Sequence, residues 1–324
     1  MKRMSIITFL LTMATIYSVA QIDGYKNRAV NQNETVIIKL EGTEGTVVWE
    51  KSNDKITWEV INGVTGQLEF VADQTTYFRV ISTVDDCLPD TSELGSVTVY
   101  GEMSDVDGNT YKTIQIGNQV WMAENLRVTH YPYGQPIFNG VADSSWAYTD
   151  SLAFCWYNND SAAYAVSHGA LYNWGAAMNG SFTSAEVPSG VQGVCPDGWH
   201  LPSDMEWQIL EQSLGMSSTE TVETGWNGTN EGSKLAGESH LWTKGVLITD
   251  EQFGESGFNG LPSGDRTWDD ESIFYGDGVY GTWWTSTSLK SDNIWSRYIQ
   301  FDRMEIRRAG TWKWNGNSVR CVKN

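Results

Sequence analysis

Between Gly264 and Tyr280 the chain reads GDRTWDDESIFYGDGVY, five acids and one arginine set among aromatics and glycines. That mixture suits recognition. Aromatic faces stack on sugar rings or on a peptide, and Asp265, Asp269, Asp270 and Asp277 offer acceptors to hydroxyls or a cation, with Arg266, Trp268 and Tyr275 between them. Near the carboxyl end, Trp312 and Trp314 alternate beside Gly310 and Gly316, the spacing of an exposed aromatic platform. The competing reading of Gly264 to Tyr280 is a long ordered loop whose acids cap turns and whose Trp268 and Tyr275 pack on the domain.

Groups that do covalent chemistry are sparse or unselected. The chain holds no G-x-S-x-G, H-E-x-x-H, C-x-x-C or glycine-rich phosphate loop. His130, His168, His200 and His240 stand apart, without the spacing of a metal site, and His200, between Trp199 and Leu201, reads as a packed structural residue. Forty acids leave a glycosidase pair open, but nothing singles one pair out. Asp105-Val106-Asp107-Gly108-Asn109 alternates oxygen ligands as a calcium loop does, yet lacks the glutamate at the twelfth position, and the same residues make an ordinary tight turn. The expectation is a non-catalytic chain with no cofactor, calcium being the one ion weighed.

The compartment follows from the amino end. Lys2 and Arg3 precede an apolar run from Ile6 to Leu11, and Ser18-Val19-Ala20 closes it with small residues, the pattern of a secretory signal peptide over residues 1–20. The run is too short and too interrupted to span a bilayer, so no integral membrane span is expected. The formal charge is −19, and −21 without the leader. Nucleic acid is thereby a poor partner, since phosphate binding needs clustered Lys and Arg. A secreted, cell-surface or periplasmic location permits disulfides between the four cysteines.

Sixteen tryptophans, 14 tyrosines and 32 glycines with only 19% charged residues favour short strands and aromatic loops over helical bundles. From Ile22 to Tyr100, six alternating segments are separated by Gly, Asn and Asp turn signals: 35–40, 46–50, 56–60, 67–71, 77–81 and 97–100. This part resembles an immunoglobulin-like module, with Trp49 as the mid-domain core tryptophan and Tyr77 as a corner tyrosine, though Cys87 has no inter-sheet partner. Beyond Glu102, Tyr111 to Met122 reads as a hairpin turning at Gly117-Asn118. Leu171, Trp174 and Met178 predict a helix over His168 to Asn179, and a second is predicted over Asp204 to Leu214, with Ser203 and Glu206 as a capping box and Gly215 as its stop.

Asp-Val-Asp-Gly-Asn, TYKTIQIGNQVWMAENL, GALYNWGAAMN, GVCPDGWHLPSDMEWQIL, GSKLAG, GFNGLPSG, TWWTST and SVRCVKN, in that order, resemble the Fibrobacter succinogenes major paralogous domain over Asp105 to Asn324. That family is similar to C-type lectin-like folds and to the formylglycine-generating enzymes. The resemblance implies a disulfide between Cys195 and Cys321, and a core role for Trp283 and Trp284. It does not imply the enzyme activity, because the paired cysteines of those enzymes are missing from the C-terminal region. Nor are the Glu-Pro-Asn, Gln-Pro-Asp and Trp-Asn-Asp triplets of calcium-dependent lectins present; only Trp314-Asn315-Gly316 comes near. Four cysteines allow three pairings, and Cys87 and Cys155 are left over as free thiols or a clamp.

The expected architecture is an α+β C-type lectin-like domain over 102–324, preceded by an all-β immunoglobulin-like sandwich over 21–101. Its expected work is binding a surface glycan or a cell-surface or matrix protein. The alternatives are a structural subunit of a surface appendage, or an enzyme related to formylglycine-generating enzymes or glycoside hydrolases.

Overall fold

The computed structural model describes residues 10–13, 27–41, 46–64, 67–83, 89–91, 95–140, 146, 151–268 and 273–324. The chain divides into two compact units, Met1–Gly101 and Glu102–Asn324. Cys87, Asp269 and Asp270 lie outside the described residues.

The first unit is built from β1 (Leu10–Met13), β2 (Asn27–Asn31), β3 (Glu34–Glu41), β4 (Thr46–Ser52), β5 (Glu59–Ile61), β6 (Gln67–Ala72), β7 (Thr76–Thr83), β8 (Asp90–Thr91) and β9 (Gly95–Ser104). β3 pairs antiparallel with β1 and β6. In a second sheet β4 pairs with β5 and β7, β7 with β8 and β9, and β2 lies parallel to β9. Period-two alternation decides what is buried: along β7 every other residue from Thr76 faces inward. Val36, Ile38, Leu68 and Ala72 from one sheet meet Trp49, Phe78, Val80, Val97 and Val99 from the other in one core. Tyr77 takes the opposite face, with the Lys55 ammonium 4.6 Å from its ring centre. The strand expected over 56–60 begins only at Glu59, because the Asp54 carboxylate accepts hydrogen bonds from the amides of Ile56 and Thr57 and holds a turn there, leaving Ile56 exposed.

The second unit begins with a hairpin, β10 (Thr110–Ile116) and β11 (Gln119–Met122), whose register ends on Ile116 opposite Gln119 and so turns at Gly117-Asn118. β15 (Trp199–His200) and β22 (Val322–Lys323) extend that sheet. β12 (Phe138–Asn139), β13 (Ala153–Cys155) and β14 (Leu171–Tyr172) form a small sheet. A six-stranded sheet runs in the order β16 (Gly225–Asn227), β21 (Ile306–Trp312), β20 (Asn293–Gln300), β19 (Tyr280–Lys290), β17 (Ser263–Arg266) and β18 (Phe274–Asp277), with β17 parallel to β19 and its other pairs antiparallel. Trp284, Tyr172, Met122 and Cys321 share one core cluster. On the other side of β19, Trp283 packs with Trp207 and Phe258, which in turn both meet Trp121.

The expected α+β C-type lectin-like architecture is not what this unit adopts. Strands in mixed sheets dominate it, and its helices are short: Ser161–Tyr164, Trp174–Met178, Asp204–Ser213 and Glu231–Leu235. The helix expected over His168 to Asn179 shows why. Gly169 has φ +77°, and a Cβ there would meet the Asn125 backbone oxygen at 3.0 Å, so the chain turns tightly against Asn125. Tyr172 then exchanges backbone hydrogen bonds with Asn317 at 2.9 and 3.0 Å, and only Trp174–Met178 is helical, behind an Asn173 cap. Leu171 is apolar because the core needs it, and strand pairing delivers it there as well as a helix would.

The Asp204–Ser213 helix forms as its sequence predicts, with both hydrogen bonds of the capping box present. Glu206 also accepts from His200 Nε2 at 2.7 Å, so His200 is a buried positioning residue for that cap. Just ahead, Cys195 is disulfide-bonded to Cys321, their Cα atoms 5.9 Å apart and 126 residues apart in sequence. The bridge ties the start of the helix segment to the last strand and marks an extracellular or periplasmic protein. Among the described residues no helix is long and apolar enough to cross a membrane.

Candidate functional site

Arg266 and Gly316 exchange backbone hydrogen bonds at 3.0 and 2.8 Å, and this one bridge places residues after β17 beside residues after β21. Gly316 is required for the approach, since a Cβ there would come within 2.7 Å of the Trp146 ring. Trp268 consequently packs against Trp312 (5.4 Å between ring centres) and Trp314 (5.5 Å), while Trp312 and Trp314 stack at 6.2 Å and 21°. Trp312 is 43% exposed, so the cluster opens to solvent and is not a closed core. Lys313 sits 4.9 Å over the Trp314 ring and pairs with Asp292 at 2.9 Å, which fixes the rim of the patch. Trp268, expected in the Gly264 to Tyr280 segment, thus joins Trp312 and Trp314, expected as a pair near the carboxyl end, in one continuous aromatic surface.

The hairpin of β17 and β18 distributes the other candidates over two faces. Arg266, opposite Phe274, turns inward and is fully buried. Its guanidinium lies between the Trp146 and Phe274 rings at 4.7 and 4.9 Å and donates to the Gly140 carbonyl. It therefore holds the core together and does not face a ligand. Burial pushes the neighbouring Cys155 thiol up to about 12, which makes it inert at neutral pH.

Asp265, opposite Tyr275, takes the other face. Burial pushes its carboxyl up to about 6, and the Tyr280 hydroxyl donates to it at 2.8 Å. Asp277 behaves in the opposite way: hydrogen bonds from His168 Nε2 and the Tyr164 hydroxyl, both 3.0 Å, hold its carboxyl below the usual range. Tyr275 is 48% exposed beside them. Tyr298 stacks on Tyr280 at 4.6 Å. Tyr157, whose ring packs on Phe274, reaches this hairpin from one segment with Tyr164 and His168, and Tyr298 from another, so none of the four was tied to it in the sequence.

The Asp105 to Asn109 segment is a tight turn. Asp105 accepts from the amides of Asp107 and Asn109, from the Asn109 side chain and from the Tyr111 hydroxyl. Burial opposes ionisation of Asp107, but donors from Thr129 and His130 win and hold its carboxyl below the ordinary value. Both carboxylates are thus engaged by this unit's own donors. A cleft of about 250 Å³ beside them, lined by Asp105, His130, Val194 and Asp197 among others, is smaller than a typical small-molecule site.

A family model described as the Fibrobacter succinogenes major domain matches residues 114–323. A second, described as a domain of unknown function, matches residues 21–101. Neither the curated proteins nor the solved structures gave a match.

Proposed function

The chain belongs to the Fibrobacter succinogenes major domain family, and within that family we propose that it is an exported recognition module that binds a surface glycan through Trp268, Trp312 and Trp314. One observation carries this reading: three indoles from two distant segments are gathered on an open patch, where burying a single tryptophan would have served stability better. Sugar rings present flat C–H faces, and stacked indoles offer matching apolar planes with donors at their edges. The signal-peptide pattern over Met1 to Ala20 and the disulfide support export, and the all-β first unit serves as a spacer.

A glycan and matrix-protein array probed with the mature protein tests the proposal. Saturable binding to one glycan class, weakened in Trp268→Ala and Trp312→Ala, supports it; binding to matrix proteins alone, or to nothing, speaks for a scaffold.

A second reading, a glycoside hydrolase, is favoured by a single observation: on one hairpin, Asp265 is pushed toward the protonated form while Asp277 is held ionised. Turnover of an aryl glycoside that disappears in Asp265→Asn but survives Trp312→Ala would put this reading ahead of recognition.

A further inference from the structure

The far end of β21 carries a different surface. Its register sets Arg307 opposite both Trp226 of β16 and Tyr298 of β20, so three strands present one row of side chains. Trp226 meets Tyr298 edge-on at 5.8 Å, and Tyr298 stacks on Tyr280. The Arg307 guanidinium is 5.9 Å from the centres of both the Trp226 and the Tyr298 rings, and that of Arg303 is 5.7 Å from Trp226. Both arginines are exposed. Arg297 and Arg308, in contrast, are locked to Asp204 and Glu211 in the interior. Among the described residues no carboxylate pairs with Arg303 or Arg307. Asp302, whose charge bears on Tyr298, is instead bonded to Gln300 at 2.8 Å.

In a chain with 40 acids and 21 bases, two neighbouring exposed cations that rest on aromatic rings and on no carboxylate stand out. Sharing one indole, the two guanidinium carbons are no more than about 12 Å apart, close enough to act on one anion at low salt. An anion between them would accept a planar fork of donors from each guanidinium. The floor is aromatic, which adds a second requirement: the anion must carry a flat apolar face. Free phosphate has none, and a polynucleotide would need far more cations than two.

We propose that Trp226, Arg303, Arg307 and Tyr298 form a second binding site, for a carboxylate-bearing sugar ring such as a uronate unit of an acidic polysaccharide. The carboxylate lies on the guanidinium pair, and the ring packs on the Trp226 face with Tyr298 set edge-on beside it. The site stands about 17 Å along β21 from Trp312 and does not depend on the indole platform.

Calorimetric titration of the full chain with trigalacturonate and with neutral galactotriose tests this. The expected result is at least tenfold tighter binding of the acidic trisaccharide at low salt, weakened further by raised salt. Arg303→Gln and Arg307→Gln, both surface changes that leave the circular dichroism spectrum intact, each reduce that affinity at least fivefold, and Lys323→Gln, an exposed cation on the strand that extends the hairpin sheet, leaves it unchanged. Four outcomes overturn the proposal: equal binding of the two sugars, no binding of either, indifference to both arginine substitutions, or an equal loss in Lys323→Gln. Equal binding of a short poly-glutamate peptide also overturns it, in favour of an acidic protein partner.

Discussion

At the residue scale, Asp265 makes the sharpest prediction. Its carboxyl titrates near 6 in the folded chain against 3.8 unfolded. The native state therefore keeps its proton longer, and as pH rises from about 4 to 6 the unfolded state ionises freely while the folded state resists. Stability contributed at this position is highest below pH 4 and is lost across that window. Asp265→Asn keeps an acceptor for Tyr280 and removes the penalty, so it should stabilise the chain by about 1–3 kcal/mol at pH 7 and not at pH 4, as read by thermal melts at both values. Arg266 and Asp265 are neighbours in sequence, and both belong to a segment whose composition signals binding. Only strand parity separates them, sending one into the core and the other onto the opposite, half-buried face. Composition marks such a segment; the face each residue takes depends on the register of β17 with β18, which no local pattern reveals.

At the element scale, covalent and ionic ties dominate. The Cys195–Cys321 bridge closes a loop with a sequence separation of 126 residues, and chain-entropy arguments give such closure about 4–5 kcal/mol. Replacing both cysteines by serine should lower the denaturation midpoint of the second unit accordingly, without changing the far-UV spectrum at low temperature. Arg297 is fully buried between Asp204 and Glu211, and Asp204 also receives Arg308. Arg297→Met leaves two buried acids short of a partner and should cost about 3–5 kcal/mol in urea unfolding. The capping box and the Tyr111 to Met122 hairpin were legible because their signals are local: a hydroxyl three residues before a glutamate, and a two-residue turn between alternating strands. Leu171 was not, since an apolar residue at helical spacing looks the same whether a helix or Asn317's backbone delivers it to the core. The row of Trp226, Arg307 and Tyr298 was equally hidden, because Trp226 joins the neighbouring strands that carry Tyr298 and Arg307 only through pairing with a residue 81 positions away in sequence.

At the scale of the whole molecule, the net charge of −19 keeps the chain soluble and discourages polyanions, so sites that accept anions must be local exceptions. The indole platform should respond to solution conditions differently from the paired arginines. Stacking of a neutral glycan on Trp268, Trp312 and Trp314 is expected to change less than twofold between 50 and 500 mM salt, because screening acts on charges and not on ring faces. The tryptophan count and glycine-spaced aromatics marked candidate contact residues in the sequence. That three particular indoles share one patch became visible only through the bridge between Arg266 and Gly316.

The most direct check of the recognition reading is the dissociation constant of the array-selected glycan for wild type, Trp312→Ala and Trp268→Ala, measured by calorimetry on the full chain beside thermal melts of each variant. Loss of a stacked ring should weaken binding by about 1 kcal/mol or more, roughly fivefold, with folding intact. Unchanged affinity in both variants would contradict the account.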